Sequence, residues 1–192
     1  MLGQGMDSFL FCLILTFAIA LGGKEQLIVA QFTDAIGRTY ALLAAAALCA
    51  LISAAVMVYS SGLIAGVMPP RAAHMLVAFA LAIAAFELSW PKRVKPMKEP
   101  TRSIIAIGAV VLARQIGDAA RFVVFAFAVE ANYPVTALIG GTLGGIAAVA
   151  LGWALGLARL EKLPLRLIRI AMGLCLILAA VVIGLNARYT FL

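Results

Sequence analysis

Long apolar stretches separated by short polar or proline-bearing ones organise this chain. Six segments, residues 8–36, 39–67, 72–90, 103–131, 134–158 and 165–185, are apolar over most of their length. Each reaches the ~20 residues that carry an α-helix across a bilayer, so the pattern predicts six transmembrane helices. Pro69-Pro70 closes the second segment and Pro91 the third. The first segment is interrupted by Gly22-Gly23-Lys24-Glu25-Gln26 and the fourth at residues 115–121, around Gln115-Ile116-Gly117-Asp118. Both are longer than one straight crossing needs, and a helix broken at the polar motif, or a tilted one, absorbs the surplus.

The interruptions recur at a fixed interval. Gly22 and Pro69 are 47 positions apart, as are Gly117 and Pro164, and the same offset of 95 pairs Arg71 with Arg166 and Phe32 with Phe127. The chain therefore divides into a first three-helix repeat at 1–91, a basic linker at 92–102 and a second three-helix repeat at 103–192. A repeated unit with an odd number of crossings enters the membrane the opposite way the second time. The expected fold is all-α: a polytopic membrane protein of six helices as two inverted repeats, the arrangement that builds a solute site at the repeat interface.

Charge orients it. The stretches after the first, third and fifth segments hold Arg38, then Lys92, Arg93, Lys95, Lys98 and Arg102, then Arg159, Lys162, Arg166 and Arg169, whereas the other side holds Arg71 and Arg188. The positive-inside rule places the central linker in the cytoplasm and both termini outside, as in a multi-pass protein of a bacterial inner membrane. This distribution also accounts for the excess of 15 Lys+Arg over 8 Asp+Glu without nucleic acid.

Composition excludes other classes. With 65% hydrophobic and only 12% charged residues and a mean hydropathy of +1.12, the chain is far more apolar than a soluble domain, where about 25% of residues are charged. Cys12, Cys49 and Cys175 lie in apolar segments without CxxC spacing and read as small hydrophobes. Ala18-Ile19-Ala20 resembles a signal-peptidase site, but no basic residue precedes the first apolar run, which is read as a retained helix. With one histidine and no HExxH, Walker-type or Ser-His-Asp pattern, an enzyme is not expected.

Ionisable groups inside lipid are costly, and each is a functional candidate. These are Lys24, Glu25, Asp34, Glu87, Arg114, Asp118, Arg121 and Glu130. Asp34, Glu87 and Glu130 fall near segment ends and read as solvated or snorkelling side chains; His74 reads as interfacial. Gln115 lies 12 residues into its segment, about 18 Å deep at 1.5 Å per residue. Three residues separate it from Asp118, which puts both oxygens on one face of a continuous helix. Set against an inverted partner helix, such oxygens suit a hard cation. Gly140, Gly141, Gly144, Gly145, Gly152 and Gly156 in the fifth segment, and Gly62 and Gly66 in the second, are expected to permit close helix packing.

These residues resemble the Gdt-type calcium/manganese:proton exchangers of the lysine-exporter superfamily. That family carries Glu-x-Gly-Asp-Lys/Arg-Thr/Ser near the start of each three-helix half. In the first copy here Ala20 and Gly23 stand at the carboxylate positions, Gly22 and Lys24 are kept, Glu25 replaces the hydroxyl residue and Gln26 follows. In the second copy Gln115 stands at the Glu position, Gly117 and Asp118 are kept, and Ala119, Ala120 and Arg121 follow. The resemblance implies cation export against protons, with manganese or calcium as the transported ion and no cofactor. It assigns cation binding to Asp118, Gln115, Glu25 and Gln26, with Asp118 and Gln115 as metal ligands. Lys24, Arg114 and Arg121 would tune or block the charge, and Gly22, Gly23 and Gly117 would break the helices.

Two features pull against a cation. On an unbroken helix Glu25 points away from the motif face. Lys24, Glu25, Arg114, Asp118 and Arg121 also sum to +1, whereas a divalent ion needs a negative cage, so the ancestral site is expected to be weakened or lost. Two alternatives stay open: an exporter of another small solute, an amino acid or anion held by Lys24, Arg114 and Arg121, and a non-transporting membrane scaffold. The expected partners are the lipid bilayer, the cation and proton, with a homo-oligomer left open.

Overall fold

The computed structural model describes residues 2–90, 103–131 and 133–189, with side chains from Met6 onward. The described residues form nine helices: α1 (Leu2–Ala20), α2 (Lys24–Ile36), α3 (Tyr40–Val67), α4 (Pro70–Ser89), α5 (Ile104–Gln115), α6 (Ala119–Glu130), α7 (Pro134–Leu155), α8 (Leu157–Leu160) and α9 (Leu165–Tyr189). The basic linker at 92–102 lies outside the described residues.

Local chemistry sets the boundaries. Pro70 opens α4 and Pro134 opens α7, where proline's missing N–H has no helical partner to lose. Ser103 caps α5 by accepting from Ala106 N at 3.4 Å. Gly37 (φ +86°) ends α2 and Gly156 (φ +72°) ends α7, both in the left-handed region that glycine enters without strain.

Helices α3, α4, α7 and α9 are each long and apolar enough to cross a membrane, and α1 with α2 makes a fifth such unit, bent by 59°. α5 is apolar but short. Leu48, Leu51, Val56 and Leu63 of α3 and Leu174, Leu178 and Val182 of α9 face outward. Helices apolar on their outer as well as inner faces belong in lipid.

The packing has a recurrent order. α1 runs along α7 and α5 along α3; α2 also meets α7 and α6 also meets α3; α4 and α9 lie along each other. Glycines bring α7 very close to its neighbours. A Cβ on Gly144 would stand 2.6 Å from Leu13 O of α1, and one on Gly152 would stand 2.8 Å from Gln26 O of α2. The bare glycine backbone is what lets α1 and α2 approach so near. Gly62 and Gly66 behave otherwise. Nothing lies within 4 Å of a Cβ at either, so their expected packing role is not observed.

The two interruptions are true breaks, built differently. Between α1 and α2 the chain turns at Gly22, whose φ is +68°. Its N–H donates to Gln26 Oε1 at 2.7 Å, and Gln26 Nε2 donates to Ala148 O of α7 at 2.9 Å, so one side chain closes the turn and docks it. Between α5 and α6 the turn rests on Asp118, which takes an extended backbone (ψ 145°) and caps α6 by accepting from Ala120 N at 3.3 Å. Gly117 has no positive φ, and a Cβ there meets nothing within 4 Å. The extended residue also interrupts the helical register, so Gln115 ends one helix and Asp118 begins the next. They do not share one helix face, contrary to the expectation from their spacing.

This contrast is testable. A left-handed backbone costs an L-residue about 1–2 kcal/mol, and a Cβ on Gly22 would also press Arg169 Cδ and Leu165 Cβ, each at 3.2 Å. Gly22→Ala should lower the thermal unfolding midpoint of the purified protein, while Gly117→Ala leaves it near wild type. Equal midpoints for the two variants would contradict the contrast.

Candidate functional site

The breaks bring their polar residues inside. Among the described residues Glu25, Gln26, Gln115, Asp118 and Arg121 are all fully buried. Glu25 enters because the turn at Gly22 restarts the helix at Lys24, which puts it in the first turn of α2. The outward direction expected on an unbroken helix is therefore not the one observed.

Arg121 is the largest fully buried side chain among the described residues. The carboxylates acting on its guanidinium are Glu25, foremost, and Asp118. Arg121 Nη1 donates to Ala50 O of α3 at 3.5 Å. Its Nη2 lies against Gly145 of α7, where a Cβ would be 2.7 Å away. One turn further along α3, Ser53 Oγ donates to Gln115 Oε1 at 2.9 Å and also reaches Ala50 O at 3.1 Å. Four elements thus meet around one guanidinium, α2 through Glu25, α3 through Ala50, α6 through Asp118 and Arg121 itself, and α7 through Gly145, and the Ser53–Gln115 bond joins α5 to them.

The other cations lie elsewhere. Arg114 is exposed on the last turn of α5. Lys24 Nζ pairs with Glu87 Oε1 of α4 at 3.3 Å. With both removed from the sum, Glu25, Asp118 and Arg121 leave the enclosed group at one net negative charge, the reverse of the +1 read from the sequence. Lys24, Arg114 and Arg121 do not form one cationic pocket. Among the described residues no three or more of His, Cys, Asp and Glu gather as a metal cage; the oxygens nearest such a purpose are mixed, two carboxylates with amide, hydroxyl and carbonyl groups.

Glu87 and Arg169 form a second polar group that sequence position conceals. Glu87 side-chain exposure is 14% and Arg169's is 7%, so neither is the solvated end residue or loop cation that its place in the chain suggests. Arg169 Nη2 lies 3.5 Å from Glu87 Oε2 and donates to Glu87 O at 3.4 Å. Ala119 N, at the start of α6, donates to Glu87 Oε2 at 3.4 Å, where the helix dipole favours an anion. Glu87 therefore ties α4 to α2, α6 and α9, beside both breaks. The available signal is an acidic residue in an otherwise apolar segment, which is itself unusual.

The end residues otherwise match expectation in kind. Asp34 accepts from Leu157 N at 2.8 Å, joining α2 to α8. Half-exposed His74 pairs with Glu130, Nε2 to Oε2, at 3.5 Å.

Burial ranks the two partners of Glu87. Double-mutant cycles on thermal or denaturant stability should give about 1–3 kcal/mol of coupling for Glu87 with Arg169, and under about 1 kcal/mol with Lys24, whose ammonium is partly solvated. Equal couplings would contradict the geometry.

No curated protein and no solved structure matches the chain. A family model does: residues 103–190, which span α5 to α9, match the divalent cation/proton antiporter GDT1. The resemblance read from the motif residues is thereby borne out: over residues 103–190 the chain is similar to the GDT1 family of divalent cation/proton antiporters.

Proposed function

We propose that the protein is a six-crossing exporter of manganese or calcium in exchange for protons, with its ion path at the meeting of the two helix breaks. In this reading α1 with α2 and α5 with α6 are the broken first helices of two inverted repeats. The reciprocal packing of α1 on α7 and α5 on α3 supports that relation. The basic residues Arg38, Arg159, Lys162 and Arg166 support a cytoplasmic face at the ends of α2 and α8. Reassigning Arg169 to the buried group leaves that bias intact.

The observation that carries the proposal is the burial of one carboxylate from each break, Glu25 and Asp118, in one electrostatic group. Oxygen donors are what a hard divalent ion takes. A carboxylate that gives up a cation can take a proton in its place, which is the elementary requirement of antiport. Asp118, Glu25 and the side-chain oxygen of Gln115 are the proposed ligands. Gln26 is the proposed brace of the first break, since both ends of its amide are engaged. Ser53 is an addition to the set read from the sequence, through its bond to Gln115.

Flux decides it. Proteoliposomes holding the purified protein should take up manganese or calcium when a pH gradient is imposed. Asp118→Asn and Glu25→Gln should each abolish that uptake while the proteins still fold. Uptake unchanged in both variants would remove these carboxylates from the path, and no uptake in wild type would refute the exchange reading.

A further inference from the structure

Arg121 is held in an unusual way for a fully buried arginine. A guanidinium has five N–H donors, and burial normally demands that they be satisfied. Here Nη1 makes a single long bond to Ala50 O, at 3.5 Å, while Nε and Nη2 have no hydrogen-bond partner among the described residues. No bidentate fork fixes the group. The attraction of Glu25 and Asp118 holds it in place, and Gly145 makes room for Nη2 by lacking a side chain.

Around the guanidinium stand the oxygens that a divalent ion would use: two carboxylates, the Ala50 carbonyl and, one turn along α3, the Ser53–Gln115 pair. A divalent ion and a guanidinium at contact range repel strongly in a medium of low dielectric, so the two do not share the place. We infer that Arg121 is a tethered counter-cation, which occupies the carboxylate site when the transported ion is absent and must withdraw for the ion to load. The inference rests on the cation:proton reading of this site and adds to it a specificity-determining residue. It has a definite sign. Removing the guanidinium strengthens divalent-ion binding, whereas removing a merely structural arginine would weaken or unfold the site. Because the group is loosely bonded, withdrawal breaks one long hydrogen bond and no fork.

Two variants separate charge from packing. Arg121→Gln removes the cation. Gly145→Ala keeps every charge and pushes Nη2 off its seat. Manganese chloride is titrated calorimetrically into the purified full-length protein in detergent at fixed pH, with calcium chloride in parallel. Arg121→Gln should bind manganese or calcium at least about tenfold tighter than wild type, within the usual range of coupling between sites. Gly145→Ala should move in the same direction and Arg121→Lys should stay near wild type. Should Arg121→Gln not fold without the ion, the affinity of Gly145→Ala and the rise of its unfolding midpoint with manganese answer the same question. Binding no tighter than wild type in both Arg121→Gln and Gly145→Ala overturns the inference. Proton-driven uptake by wild type in proteoliposomes then tells which idea failed. If it is present, the exchange reading stands without the counter-cation; if absent, both fall.

Discussion

A guanidinium enclosed among membrane helices must have its charge answered nearby, and this requirement governs the centre of the molecule. Arg121 lies fully buried on α6, and the isolated charge would be untenable in a medium of low dielectric. Glu25 and Asp118 answer it. Glu25 can do so only because Gly22 turns the chain and restarts it as α2 with that carboxylate in its first turn. Asp118 can do so while also capping α6. The helix breaks are thus part of the electrostatic solution, and each places its carboxylate where a straight helix would not.

The same requirement reaches into the packing. Four elements converge on Arg121, with α5 joined to them through Ser53, and room for them comes from α7, whose glycines let α1, α2 and the guanidinium itself approach its backbone. Beside this group Glu87 joins α4 to Lys24, Arg169 and the first N–H of α6. The two groups differ in exposure. One is sealed, with one net negative charge; the other holds two cations about a single carboxylate and is partly open at Lys24. One enclosed and one open polar centre at the junction of two helix breaks give the proposed exchange its physical basis, since a transported ion must be desolvated, held and released.

Much of this is legible in the residues. The helices follow the apolar segments closely: α3 spans Tyr40–Val67 against an expected 39–67, and α4 spans Pro70–Ser89 against an expected 72–90. Runs of apolar residues punctuated by proline and glycine are local signals, and helices in lipid form from local hydrogen bonds. The breaks are also visible, because Gly22-Gly23 and Gln115–Asp118 are polar or flexible within apolar surroundings. Three things are not legible. The inward turn of Glu25 depends on the positive φ of Gly22. The engagement of Glu87 depends on Lys24, Ala119 and Arg169, residues distant in the chain. The contrast between the packed Gly144 and the open Gly62 depends on which neighbour faces each helix. Each is a tertiary fact, set by partners that spacing along one segment does not reveal. The net charge of the site changes sign for the same reason, because Arg114 is exposed and Lys24 faces Glu87.

The most direct test of the central claim is a stability cycle on Glu25 and Arg121 in ion-free buffer. Thermal unfolding is measured for wild type, Glu25→Gln, Arg121→Gln and the double variant. If the two breaks are joined by this pair of buried charges, Glu25→Gln lowers the midpoint of wild type, where Asp118 alone is left to answer Arg121, but raises that of Arg121→Gln, where it removes one of two uncompensated carboxylates. Losses that simply add, with the double variant least stable of all, would show that Glu25 and Arg121 do not answer one another and would contradict the claim.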